Sequence, residues 1–360
     1  MEILNPVTEH LPVYPMEQLR SIKATLHEKG VSIYDFGTGD PKIPVENFIL
    51  EALKIAVTDQ SGYPPIGGPE ELKKAHLTYL EKRFGIKDHK QLGLLPTRGS
   101  KEAVFHTALC MVGRSGKKRI IYPDPGYPVY ESSTLFAGGI PTPYSLNQSN
   151  DYLLEPWKLD ASVINETAAI WINYPHNPTG KSVNRDYLER FVKFCRKNDI
   201  IILSDDCYID VYHTRFDSEI YQNDKPALIL EFGPELVVSL LSLSKRSGLT
   251  GHRAGFMVGD ERIISKLQRA RSNMGLAQTN FIAAGAAAAW LDEKHVENRR
   301  KIFTERLDFA SEKLTEMGIK HIKPEATFYL WCEVPAKFAK DDVTFCLELA
   351  KKGVITSPSS

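Results

Sequence analysis

The residues of this sequence that could do chemistry sit in short polar clusters, each directly after an apolar run. The sharpest cluster is Ser242-Leu243-Ser244-Lys245, with Arg253 following a few residues later. A lysine leaving a buried strand is desolvated, so its pKa falls and its amine can form a Schiff base. Asp205 ends a second apolar run and is followed by Asp206, Cys207 and Tyr208. A carboxylate there is costly unless a cation faces it. Arg98-Gly99-Ser100-Lys101-Glu102 opens a predicted helix. A Gly-Ser turn at a helix start offers free N–H groups and a hydroxyl to a phosphate, while the plainer role for Ser100 is an N-cap. Tyr174-Pro175-His176-Asn177-Pro178-Thr179-Gly180 follows a third run; it is a good turn sequence and carries Asn177.

Together these clusters supply a lysine for an imine and a carboxylate for a pyridinium. They also supply two polar side chains for a phenolic oxygen, and a Gly-Ser helix start, serines and an arginine for a phosphate. Those are the parts a pyridoxal phosphate site requires. Competing motifs are weaker. Ser242-x-x-Lys245 also matches the nucleophile motif of penicillin-binding proteins, but Lys-Thr-Gly is absent and Ser204-Asp205-Asp206 lies upstream. Asp35-Phe36-Gly37 lacks the other kinase elements, and Gly37-Thr38-Gly39 has Lys42 where a dinucleotide loop needs its third glycine.

The elements that must carry these clusters alternate. Apolar runs at Leu92–Thr97, Arg119–Tyr122, Ala168–Asn173, Ile200–Ser204, Leu236–Leu241 and Ala254–Val258 read as buried strands. Helical spacing recurs at Asn47–Asp59, Pro69–Arg83, Lys101–Val112, Tyr127–Ala137 and Arg185–Lys197. Alternation of this kind predicts an α/β fold with a mostly parallel sheet covered by helices on both faces. Ligands of such sheets bind beyond the carboxyl ends of the strands, where the polar clusters stand. Residues 1–46 read as an N-terminal arm and part of the small domain, 47–262 as a large domain and 263–360 as a smaller α+β domain. The small residues from Ala283 to Ala289 predict close helix packing and no chemistry.

Composition narrows the partners. The 360 residues carry 45 Lys+Arg and 45 Asp+Glu, a net charge of +0, which gives no basic face for nucleic acid. No run approaches the ~20 apolar residues that span a bilayer. Glu2 and Glu9 with no early Lys or Arg argue against a secretory signal. The 5 cysteines lack a CxxC pair, which fits reduced thiols in the cytoplasm, and the 10 histidines form no metal-ligand cluster, so no metal is expected.

The residue pattern resembles a fold-type I, class I/II pyridoxal phosphate aminotransferase over nearly the whole chain. Ser242 to Gly255 is its most specific stretch, supported by Tyr174–Gly180, Asp205–Tyr208 and Asp124–Tyr130. The resemblance implies a seven-stranded, aspartate aminotransferase-like large domain and a homodimer acting on an amino acid and a 2-oxo acid. Lys245 would bind the cofactor and move the proton, with Asp205 at the pyridine nitrogen. Asn177 and Tyr208 would hold the phenolic oxygen, and Tyr127 would stack on the ring. Ser100, Lys101, Ser242, Ser244 and Arg253 would surround the phosphate, joined by Tyr63 of the neighbouring subunit. Gly39, Asn177 and Tyr14 would face the substrate.

Gly39–Lys42, Ser242–Ser247 and Ala326–Trp331 look most like bacterial succinyldiaminopimelate aminotransferases of lysine biosynthesis. That implies glutamate/2-oxoglutarate paired with a dicarboxylic amino acid. An aspartate aminotransferase or a lyase on the same frame are the alternatives. Members of the family usually continue past the point matching Ser360, into a stretch with an arginine for the substrate carboxylate. A truncated small domain with weak dicarboxylate binding is therefore expected.

Overall fold

A computed structural model describes residues 4–9, 11, 15–59, 62–88, 90–220, 224–338 and 341–359. Its centre is a seven-stranded sheet. We number the strands β1 (Leu92–Thr97), β2 (Arg119–Asp124), β3 (Ile140–Ser145), β4 (Thr167–Ile172), β5 (Ile201–Asp205), β6 (Val237–Ser242) and β7 (Gly255–Asp260). They lie in the order β1-β7-β6-β5-β4-β2-β3. Strand β7 runs antiparallel to both neighbours, and the other pairs are parallel. Six strands therefore end on one edge of the sheet, and the turn before β7 returns to that edge.

Adjacent residues of a strand face opposite sides of a sheet, and here each side has its own core. Ile121, Ile170, Ile172 and Ile202 join Leu72, Tyr79, Phe191 and Trp290 on one face. Ile120, Trp171, Ile201 and Leu203 join Val104, Met111, Tyr130 and Leu267 on the other. Burial on both faces explains why the central strands read as unbroken apolar runs. Strand β3 was not apparent in the sequence. It holds Pro141 and Pro143, and proline is tolerated on an edge strand such as this one, which pairs only with β2.

The helix Arg185–Lys197 shows how local chemistry sets a boundary. The Asn184 side chain accepts from the Tyr187 N–H at 2.9 Å, Asp186 lies in the first turn, and Arg196 and Lys197 in the last. The helix Asn280–Leu291, with its run of small residues, packs on the helices Asn47–Ile55 and Glu70–Phe84. Its Ala283, Ala286, Ala289 and Trp290 belong to the core of the large sheet. The long helix Lys294–Glu316 follows, then short antiparallel strands His321–Ile322 and Trp331–Cys332, and the helix Asp342–Lys351. The run at Val354–Ile355 pairs in parallel with Tyr34–Asp35 of the arm, and Ile355 is buried with Leu26 and Ala350.

Candidate active site

The strand ends bring most of the expected residues together. Asp205, the last residue of β5, is buried, and its Oδ2 accepts from the Tyr130 hydroxyl at 2.9 Å. Its Oδ1 accepts a long bond of 3.4 Å from the Cys207 N–H. Among the described residues Asp205 has no ion-pair partner. Burial consequently pushes its carboxyl above the ordinary range, against the hydrogen bonds from Cys207 and Tyr130 and the field of Lys245. Asp206, its neighbour, points elsewhere. It accepts from Ser204 Oγ at 2.8 Å, and burial raises its carboxyl to about 7.

Lys245 lies in the one-turn helix Leu243–Arg246 after β6, and its Nζ donates to the Gly39 carbonyl. Nζ also stands 5.9 Å from the Tyr208 ring and 5.4 Å from the Phe328 ring. Burial lowers its pKa, opposed by Cys207 and Asp40 and assisted by Arg253. The amine is thus biased toward its neutral, nucleophilic form. Ser242 Oγ is occupied elsewhere: it accepts from the Ser244 N–H and donates to Ser244 Oγ at 3.0 Å. A serine engaged as a helix cap, beside a lysine aimed at Gly39, does not make a Ser–Lys acyl-transfer pair.

The residues expected to form an anion cradle also come together. Gly99 takes the cap position of the helix Ser100–Met111 with φ 76°, and no side chain caps that end. Ser100 is therefore the first helical residue and not the N-cap. A Cβ on Gly99 would come within 2.5 Å of the Arg253 guanidinium, so only glycine lets the two approach. Arg253 donates to Ser244 Oγ at 3.4 Å, and Ser100 Oγ accepts from the Cys207 thiol at 2.9 Å. Lys101, exposed, and Arg253 line a cavity of about 730 Å³ beside this cradle.

The remaining residues fall into three groups. Asn177 is tied to the site by its backbone, whose N–H donates to Asn173 Oδ1 at 2.9 Å, while Asn173 Nδ2 donates to the Asp205 carbonyl at 2.6 Å. Tyr127 packs edge-on against Tyr130 with ring centroids 5.8 Å apart. Tyr63 is 103% exposed. Tyr14 lies outside the described residues.

Sequence reading missed three contributors. Tyr130 stands one helical turn from Tyr127 in the same conspicuous Tyr-Pro-Val-Tyr stretch, which was a usable signal. Asn173 immediately follows β4. Tyr329 comes from far along the chain: its hydroxyl shares a 2.7 Å hydrogen bond with the Tyr208 hydroxyl. It also packs so tightly on Gly39 that any Cβ there would collide with it.

Comparison with known proteins identifies the family. The family model for aminotransferase class I and II matches residues 30–360. An LL-diaminopimelate aminotransferase from Syntrophobacter fumaroxidans is 33% identical over 355 residues, 97% of this chain and 89% of that protein. LL-diaminopimelate aminotransferase 2 of Trichormus variabilis is 32% identical over 97% of this chain and 88% of its own length. The substrate-bound BacF structure from Bacillus subtilis superposes with a TM-score of 0.91 at 27% identity, covering 99% of this chain and 90% of that one. A Thermus thermophilus aspartate aminotransferase mutant shares the fold at a TM-score of 0.88 and 21% identity.

The expectation of a succinyldiaminopimelate aminotransferase is corrected by these relatives, whose names carry the unsuccinylated substrate. The segments behind that expectation surround Lys245, Gly39 and Tyr329.

Proposed function

The chain belongs to the class I and II aminotransferases, which work through pyridoxal 5′-phosphate, and from that premise we propose how its own residues divide the task. The buried Asp205 carboxylate without a cationic partner carries the reading, since a protonated pyridine nitrogen is the cation that would complete it. Lys245 would hold the cofactor covalently. Ser100, the Lys101 N–H, Ser242, Ser244 and Arg253 would take the phosphate, which the unfilled helix start and the Gly99–Arg253 approach both favour. Tyr127 would cover the ring, and Asn177 and Tyr208 would bond its phenolic oxygen.

When bound, the cofactor supplies an electron-withdrawing ring for carbanion chemistry. The protein's part is positional and protonic. Asp205 favours the charged ring nitrogen. The Lys245 amine, its pKa lowered by burial, removes and returns the substrate α-proton. Gly39 keeps the substrate side open by lacking a side chain where Tyr329 closes in.

For the substrate we propose a dicarboxylic amino acid exchanging its amino group with 2-oxoglutarate, with LL-diaminopimelate as the first candidate. The support is the identity to the two relatives over 97% of the chain. The test is the two half-reactions on purified holoenzyme. LL-diaminopimelate should change the cofactor spectrum, and 2-oxoglutarate should restore it with stoichiometric glutamate. Aspartate working better would favour the aspartate aminotransferase alternative. Product release without any keto acid would favour the lyase.

We also propose a homodimer in which Tyr63 reaches the partner's phosphate cradle. Tyr63 is wholly exposed, the cavity beside Lys101 and Arg253 is open, and Ile55, Val57 and Phe281 are exposed apolar residues. Mixing Lys245→Ala chains with Tyr63→Phe chains should recover activity through hybrid dimers. A fully active monomer in sedimentation would rule this out.

A further inference from the structure

Behind the site lies a buried ionic cluster that none of the cofactor contacts uses. Arg246, next to Lys245, turns its side chain away from the site and into the core, where that side chain is 2% exposed. Its Nε stands 3.1 Å from Asp210 Oδ2, and its NH2 bonds Glu293 Oε1. The guanidinium lies 4.9 Å from the Tyr79 ring centre and 5.4 Å from that of Trp290. Asp210 also accepts from the Tyr79 hydroxyl at 2.7 Å and Arg83 Nε at 3.0 Å. Asp210 closes the turn that begins at Asp205 and contains Tyr208. Arg246 belongs to the turn that holds Lys245. The pair therefore crosses between the two strand-end turns that carry the acid, the phenol and the amine.

We propose that the Arg246–Asp210 pair is the tie that fixes Lys245 relative to Asp205 and Tyr208, making both members positioning residues for the reaction. The inference rests on the reading of Lys245 as the cofactor lysine. Two adjacent parallel strands, β5 and β6, are held by their ladder only as far as Asp205 and Leu240. Beyond that point the turns need another connection. A buried ion pair supplies one: the Arg246 guanidinium is held by its bond to Glu293 and by the Tyr79 and Trp290 faces, and its charge attracts Asp210 across 3.1 Å without a hydrogen bond from Nε. The Ser247 hydroxyl, 2.8 Å from His295 Nε2, adds a lesser anchor just after Arg246.

The test compares Arg246→Met with Arg119→Met. Arg119, at the start of β2, bonds Glu166 at 2.9 Å and Thr142 at 2.8 Å and belongs to neither turn. Three quantities are measured: melting temperature, cofactor affinity by titration of the cofactor-free protein, and the pH profile of Lys245 acylation followed by peptide mapping. Arg246→Met should weaken cofactor binding roughly tenfold, as loss of supporting partners does around other bound groups. It should also move the acylation midpoint by about half a pH unit or more, because the amine loses its fixed contact with Gly39. Arg119→Met should lower the melting temperature alone. Should Arg246→Met not fold, Asp210→Asn serves in its place, with changes in the same direction. Arg246→Lys should restore part of both changes. The tie is overturned if Arg246→Met or Asp210→Asn keeps wild-type affinity and the wild-type acylation midpoint while melting earlier. The lysine that holds the cofactor is identified separately, by borohydride reduction of the holoenzyme and peptide mapping, and label on a lysine other than Lys245 would show that the cofactor reading, not the tie, has failed.

Discussion

Asp205 and Asp210 occupy the two ends of one turn, both buried, in opposite electrostatic surroundings. Burial pushes the Asp205 carboxyl up, and its partners are a phenol and a backbone N–H. Burial acts on Asp210 too, but Arg246, Arg83 and the Tyr79 hydroxyl outweigh it and hold that carboxyl below its ordinary value. A carboxylate surrounded by cations is complete, and its role is to hold structure. A carboxylate buried without one raises the energy of the protein until a ligand supplies the missing charge. A buried carboxylate of the second kind marks a candidate binding site where it also faces the crevice at the strand ends, as Asp205 does.

The largest effect that could break this contrast is on turnover. Asp205→Asn should cost about 10³-fold in kcat, the order seen when a preorganised electrostatic group is removed. Asp206→Asn should leave kcat nearly unchanged, since Asp206 faces Ser204 and not the crevice. A silent Asp205→Asn beside a crippled Asp206→Asn would reverse the assignment.

Stability should respond in the opposite order. Asp210→Asn breaks a buried ionic cluster, at about 3–5 kcal/mol for loss of one partner. In cofactor-free protein, Asp205→Asn should cost nothing or raise the melting temperature, because it removes an uncompensated charge. Equal melting losses for the two variants would mean that Asp205 has a cationic partner in solution.

The same contrast explains what could be read from the chain and what could not. Lys245, Asp205 and Ser100 follow apolar runs, and a polar residue at the end of a buried strand is visible from pattern alone. Strand β3 was invisible because Pro141 and Pro143 break the pattern, and the count of seven strands rested on resemblance. Asp210 and Arg246 each sit beside a recognised site residue. Yet nothing in their spacing says that they meet, since the contact depends on β5 and β6 lying side by side. Tyr329 was likewise hidden: it reaches Tyr208 only because Thr327 N–H bonds the Val211 carbonyl at 2.6 Å and carries its segment over the large domain. The substrate's far end left no readable mark, and there the expectation failed.

His76 sharpens the contrast at smaller scale, because it is unpaired and buried yet serves no ligand. It is 0% exposed, and among the described residues neither ring nitrogen has a hydrogen-bond partner. Its ring stacks on Phe256 at 4.0 Å and meets Trp290 edge-on. Asp205 faces the crevice at the strand ends, whereas His76 faces aromatic side chains, so burial of an unpaired group marks a site only where a ligand can enter. Burial lowers the His76 pKa from 6.5 to about 3. Between those values the unfolded chain takes up a proton that the folded protein refuses. Stability is therefore present in full above pH 6.5 and falls as the pH drops through this window, by about 1.4 kcal/mol per pH unit. His176 and His295, lowered to about 4, act with the same sign, and Asp206, raised to about 7, acts with the opposite one. Comparing His76→Leu with the wild type removes these shared contributions. The variant should match the wild type at pH 7.5 and exceed it by about 2 kcal/mol at pH 5, read from denaturant unfolding of the two proteins. Parallel pH profiles would show that His76 accepts its proton inside the fold, and that the aromatic core around it admits water.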